Sequence, residues 1–353
     1  MEPISRSLLM SVGIFKNTLS DEEAVALKLS QDKAKQEREA LVLDEKVGFE
    51  LGWDYARYLG WLPDEEKHKH FVGGFTSSRA HNWPLVSVDR FTRKWLQLRY
   101  GAWRRNRVFD EMVTPSFLVE IDRPYCPILD IELTHSSGEL TDWSVDRLNN
   151  QGGYAIGNLA VMSTMANVAK GNLSFSEIEA LSRQPHGRAG LTCLHWQRMA
   201  SLLTGPYSVT QETEALLALC IIPPPYVPLN FFQELQLILV RETKKKPSPV
   251  LAKIQQLCDS RATLRLFKKV VKKVGEAQKT VAVPMELWLD PANLEALKAF
   301  FLRLTPETLT KIRLVCERSL GSEQLSADLT ARWALEKKGF VCPQTSPELP
   351  TLF

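Results

Sequence analysis

Residues 143–172 read WSVDRLNNQGGYAIGNLAVMSTMANVAKGN, and the order of signals along them decides the fold. WSVDRL alternates apolar and polar side chains, as a half-buried strand does. NNQGGYAIG supplies the asparagines and glycines that turns favour. NLAVMS reads as a second strand, and TMANVAKGN as a short helix that stops near Gly171. The expected unit is strand, loop, strand, helix.

Such a hairpin, folded back on its helix, would bring Asp146 of the first strand towards Asn167 of the helix. A carboxylate and an amide oxygen are the hard ligands that Mg²⁺ takes, often with only one or two supplied by protein. A single ion so held can clamp a phosphate oxygen and the leaving oxygen while a base takes the proton of water.

The stretch SVDRLNNQGGYAIGNLAVMSTMANVAKGNLSFSEI, preceded by CPILDIEL, resembles the HNH (His-Me finger, ββα-metal) nuclease family. The resemblance is to bacterial and phage members that carry Asp-Arg where others carry Asp-His. The charged pair, the Gly-Tyr, the Gly-Asn and the Ala-Asn-x-x-Lys follow in the family's order. They span Tyr125 to Leu181, under a fifth of the chain. The resemblance implies one Mg²⁺ or Mn²⁺ held by Asp146 and Asn167, a loop organised by Asn158, and a basic position at Lys170 that contacts phosphate.

The chain departs from the family at Arg147, where the base histidine would stand. An arginine stays protonated and cannot accept water's proton, but it can grip a phosphate with two parallel bonds. His135, in THSSGE just ahead of the first strand, is the nearest histidine and the candidate base. Cys126 has no cysteine near it in sequence, so no structural zinc is expected. The tetrapeptide SVDR carries little alone: it recurs at Ser87–Arg90 without the downstream glycines and asparagines.

Outside this unit the chain reads as helical. DEEAVALKLSQDKAKQEREALVLDEKVGFELGWDYARYLG, from Asp21 to about Gly60, is rich in helix formers, with Ser20 and Glu23 spaced as a capping box. The pattern breaks around Gly73 and Gly74, and a basic helical stretch runs from Pro84 towards Arg107. FLVEI and CPILDIEL read as short strands. Ser174 with Glu177 spells another capping box, and Asp290 and Thr305 are further caps. CIIPPPYVP (Cys220 to Pro228) is a stiff connector and KKKPSP (Lys244 to Pro249) a second break. The tail from Cys342 is proline-rich and expected to be extended or disordered.

Three parts follow: an N-terminal helical region (1–114), the HNH-like module (115–185) and a C-terminal helical region with a proline-rich tail (186–353). The fold class is α+β, mostly α-helical, with a small ββα-metal module flanked by helices. Six scattered cysteines without a CxxC pair argue against a disulfide framework or zinc knuckle. The apolar runs are too short to span a bilayer, and the N-terminus lacks the leader of an exported protein, so a cytoplasmic protein without membrane partner is expected. No phosphate-binding P-loop, dinucleotide fingerprint or nucleophile elbow is present. Cys193 with His195 has no identifiable orienting acid, and His68, His70 and His81, which could in principle form another metal site, read as a solvated helix end.

A net charge of +3 identifies no partner, but its distribution does more. KWLQLRYGAWRRNR (Lys94 to Arg107) and RLFKKVVKKVGEAQK (Arg265 to Lys279) interleave cations with apolar side chains, a pattern that grips phosphates. Arg99, Arg104, Arg105 and Arg107 join Arg147 and Lys170 as expected contacts to nucleic acid, most simply DNA. The leading expectation is a metal-dependent endonuclease using Asp146, Arg147, Asn158, Asn167 and His135. The alternatives are a degenerate module that binds nucleic acid without cutting, and a scaffold that docks a protein partner on its C-terminal helices.

Overall fold

The structure, a computed structural model, describes residues 21–63, 66–210, 214–245, 247–321 and 331–342. Ser20 and the tail beyond Cys342 lie outside them. The chain is mostly helical, with a single two-stranded sheet among the described residues. No helix of the described residues is long and apolar enough to cross a membrane.

Helix α1 (Asp21–Asp54) continues through a π-helical turn (Tyr55–Leu59) and stops at Gly60, whose left-handed backbone caps it. Helices α2 (Lys69–Ala80) and α3 (Arg90–Arg104) pack against it around Leu51, Tyr55, Phe71 and Leu96. Gly73 and Gly74 do not break the pattern as expected; they lie inside α2. A Cβ on Gly74 would stand 1.9 Å from the Phe49 carbonyl oxygen, and one on Gly52 1.8 Å from that of Phe71. The glycines mark where two helix backbones touch.

FLVEI is also corrected. Thr114 caps a short helix, α4 (Pro115–Glu120), with its hydroxyl on the Phe117 amide, and Pro115 fills the first turn. CPILDIEL forms no strand, only an isolated bridge between Tyr125 and Glu132, since Asp130 turns into the left-handed region.

The hairpin follows as expected: β1 (Trp143–Arg147), β2 (Leu159–Ser163) and α5 (Thr164–Lys170). The strands are antiparallel, with Ser144 opposite Met162 and Asp146 opposite Ala160. Ser163 caps α5 on the Ala166 amide, and Gly171 ends it. Helix α6 (Phe175–Ser182) begins with the Ser174–Glu177 capping box.

The remaining helices are α7 (Cys193–Ser208), α8 (Phe231–Glu242), α9 (Pro249–Leu257), α10 (Arg261–Ala277), α11 (Pro291–Phe301) and α12 (Pro306–Leu320). Asp290 and Thr305 cap α11 and α12. The proline connector is buried at Cys220 and Ile221, with its backbone held by Ser201 of α7 and, through Leu219, Gln236 of α8. One apolar cluster runs from Ala102 through both strands to Cys316, so hairpin and C-terminal helices share a core.

Residues 331–342 return to the hairpin loop. Trp333 is fully buried, donates from its indole to the Ile156 carbonyl at 2.9 Å and accepts the Gly153 amide at 2.8 Å. A Cβ on Gly339 would stand 2.5 Å from the Gly152 carbonyl carbon, so two glycines allow the segments to touch. Removing a buried tryptophan leaves a large cavity, so Trp333→Ala should lower stability by about 3–5 kcal/mol in urea unfolding. Hydrogen exchange of the Gly153 amide should accelerate with it; unchanged protection would show that the loop stands without this segment.

Candidate functional site

Neighbouring residues of a strand project to opposite faces. Asp146 and Arg147 therefore diverge, and each meets a different part of the molecule. Helix α5 lies across the face that carries Ser144 and Asp146. Its Asn167 amide donates to Ser144 Oγ at 2.8 Å, and one turn later Lys170 arrives at Asp146.

Lys170 has no exposed side-chain surface. Its ammonium donates to the Arg147 carbonyl at 2.8 Å and to Asn150 Oδ1 at 3.1 Å, and lies 2.8 Å from Asp146 Oδ2. The last contact is an ion pair rather than an aligned hydrogen bond, because the aligned donors go to the other two oxygens. Three oxygens from β1 and the loop thus enclose one positive charge.

This corrects the expectation that Lys170 touches phosphate, since a buried, paired ammonium has no route to one. It also bears on the expected metal. The Asp146 carboxylate already has a cation against it. The Asn167 amide gives its Nδ2 to Ser144, so its oxygen is not the atom used in that bond. Among the described residues no three His, Cys, Asp or Glu side chains converge as a metal site, a grouping to which an Asp–Asn pair does not belong.

The connecting loop is built around Asn158, which is fully buried. Its Oδ1 accepts the Asn149 amide at 2.7 Å, and its Nδ2 donates to the carbonyls of Asn149 and Gly153 at 3.0 and 2.9 Å. Asn149 in turn donates to the Pro206 carbonyl in α7 and accepts the Gln151 amide. Each asparagine substitutes for backbone pairing that the loop cannot provide for itself.

Arg147 turns to the far side of this loop. Its Nη1 donates to the carbonyls of Gly152 and Asn150 at 2.8 and 3.3 Å, and its guanidinium lies 5.2 Å from the Tyr154 ring. Arg105 donates to the Tyr154 hydroxyl. Arg107 donates through Nη1 to the carbonyls of Lys338 and, at 3.5 Å, Asn150, and stacks over Phe340 at 3.6 Å. Among the described residues none of the three has a carboxylate within ion-pair distance. Burial first, and the charge of Arg147 second, push the Arg107 pKa down to about 10. The fold therefore holds three like charges near one another, Arg105 and Arg147 at the Tyr154 ring and Arg107 at Phe340.

The other expected contacts are placed elsewhere. Arg99 is paired with Asp54 at 2.7 Å and stacked on Trp95, and Arg104 faces Glu66 at 3.8 Å. Arg99 thus has its countercharge on α1 and the half-exposed Arg104 in the segment before α2, where contacts to nucleic acid were expected of both. His135, the expected base, lies towards the other face of β1. It packs edge-on against Trp143, three residues before Asp146 and so on the opposite face of β1, with the Arg90 guanidinium against its ring nitrogens. Burial first, then Arg90, hold its pKa below the ordinary imidazole value.

Sequence reasoning missed the inward turn of Lys170, although a signal existed. Lys170 is four residues after the buried Ala166 and three after Asn167, on the face of α5 turned to the strands. The contribution of residues 331–342 left no local trace at all.

No protein-family model, curated protein or solved structure matches the chain.

Removing one member of a buried ion pair strands the other in a medium that solvates it poorly. Lys170→Met should therefore lower stability by about 3 kcal/mol or more in urea unfolding, and Asp146→Asn by a comparable amount. The double variant should lose much less than the sum, because neither charge is then left alone. Strict additivity would show that the two groups do not interact.

Proposed function

We propose that the protein binds nucleic acid through an HNH-like ββα module that does not cut it. In this reading the Lys170 ammonium takes the place that a divalent ion would have beside Asp146. The observation that carries it is the full burial of that ammonium at 2.8 Å from Asp146 Oδ2. An internal cation of this kind neutralises the carboxylate and ties α5 to β1, but it has no open coordination position for water or phosphate.

Nucleic acid is the partner that the charge arrangement supports. Arg105, Arg107 and Arg147 stand together with no carboxylate of the described residues within ion-pair distance, although like charges at short range repel. Such a cluster is relieved by an anion, and guanidinium forks match phosphate oxygens in pairs. Arg107 and Arg147 give only Nη1 to loop carbonyls in the bonds described above. The same carbonyl contacts fix the direction of each fork, so that little conformational freedom is lost when phosphate binds.

The test is incubation of plasmid DNA with the protein and Mg²⁺ or Mn²⁺. The expected result is a retarded but intact plasmid. With a labelled duplex, Arg107→Gln should weaken binding for every sequence alike and reduce the slope of log K against log salt by about one. Metal-dependent nicking that disappears in Asp146→Ala would overturn this reading in favour of a nuclease.

A further inference from the structure

On the side of the hairpin away from Lys170, a cleft of about 730 Å³ opens between β1, α3 and the residues that follow α1. Its walls carry both cations and aromatic rings. Arg90 is spoken for, being paired with Asp122 at 2.5 Å and set against His135. Arg93 and Lys94 are not: among the described residues neither has a carboxylate within ion-pair distance. The Lys94 ammonium is half-buried and lies 5.2 Å from the centre of the Trp143 ring.

Asp142 is the acid in the wall, and its oxygens are already occupied. Oδ1 accepts from Thr134 Oγ1 at 2.8 Å and from the Ser137 hydroxyl and amide at 2.7 and 3.1 Å, while Oδ2 accepts the Gly138 amide at 2.8 Å. It favours a charged Lys94 from a distance without binding it, and burial opposes that charge. A lysine so placed gains from an incoming anion more than a solvated surface lysine does.

Trp61 stands at the rim, 55% exposed. Its ring meets Tyr55 edge-on at 6.0 Å, which holds the indole in place while leaving it open to solvent. An exposed, braced tryptophan beside a pair of cations is the combination that recognises a planar base joined to a phosphate. The volume lies within the range of pockets that take small ligands and exceeds what a lone phosphate needs.

We propose that this cleft binds one nucleotide unit, with its phosphate on Arg93 and Lys94 and its base on Trp61. The inference rests on the reading of the protein as a nucleic-acid binder and adds a single-strand site to the arginine cluster around Tyr154. A base must be unpaired to stack on a side chain, so the unit comes from a single strand or from a free nucleotide.

The experiment measures fluorescence anisotropy of a labelled oligothymidylate and of a labelled duplex with the full chain. Trp61→Ala and Lys94→Gln should each weaken single-strand binding about tenfold. Lys94→Arg, which keeps the charge, should bind as the parent does. Duplex binding should be unchanged in these variants and fall in Arg107→Gln. Both Trp61 and Lys94 lie off the buried core, and thermal melting of each variant checks folding. Single-strand binding that ignores Trp61 and Lys94 but falls in Arg107→Gln overturns the cleft and leaves the nucleic-acid reading standing. Absence of binding to either labelled nucleic acid overturns that reading. Calorimetry with thymidine monophosphate then distinguishes the source: heat that disappears in Trp61→Ala supports the cleft as a free-nucleotide site, and no heat overturns the cleft as well.

Discussion

A lysine ammonium buried without exposed surface has to be surrounded by oxygens, and that requirement shapes the hairpin. Asp146 supplies the countercharge, the Arg147 carbonyl supplies a second oxygen, and Asn150 reaches back from the loop with a third. The three come from consecutive parts of β1 and the turn after it, while Lys170 comes from the last turn of α5. One charge therefore fixes strand, loop and helix together, a role that a metal ion can also fill. The net gain of a buried pair is small, but the cost of leaving either member alone is large. Its effect is on which arrangement the chain adopts.

The other side of the loop depends on that arrangement. With Asp146 turned to α5, strand alternation sends Arg147 towards Tyr154, where Arg105 and Arg107 converge from the end of α3 and the segment after it. Asn158 holds the loop backbone in the shape that offers the Gly152 and Asn150 carbonyls to Arg147. Trp333 and Gly339 close the loop from the far end of the chain. The cluster is thus assembled from three separate stretches of sequence, and its charges are crowded because the packing holds them so.

Much of the hairpin was legible because its signals are local. Period-two alternation, the Gly-rich turn and Gly171 as a stop all lie within a few residues of the structure they specify. The misread elements had local signals too, but competing ones. FLVEI has strand composition, and the Thr-Pro ahead of it starts a helix. Gly73 and Gly74 read as a break, yet both lie inside α2, and at Gly74 another backbone must approach. Helical spacing put Lys170 on the face of α5 turned to the strands, but its partner and the place of residues 331–342 were not legible, for a different reason. Whether a lysine faces water or a carboxylate depends on residues more than twenty positions away, and Trp333 meets Ile156 across 177 positions.

The most direct measurement is a crystal structure of the protein grown with Mn²⁺, with anomalous scattering recorded at the hairpin. The Lys170 ammonium is expected between Asp146, the Arg147 carbonyl and Asn150, with no anomalous peak beside it. A Mn²⁺ peak bridging Asp146 and Asn167, with Lys170 displaced into solvent, would contradict it.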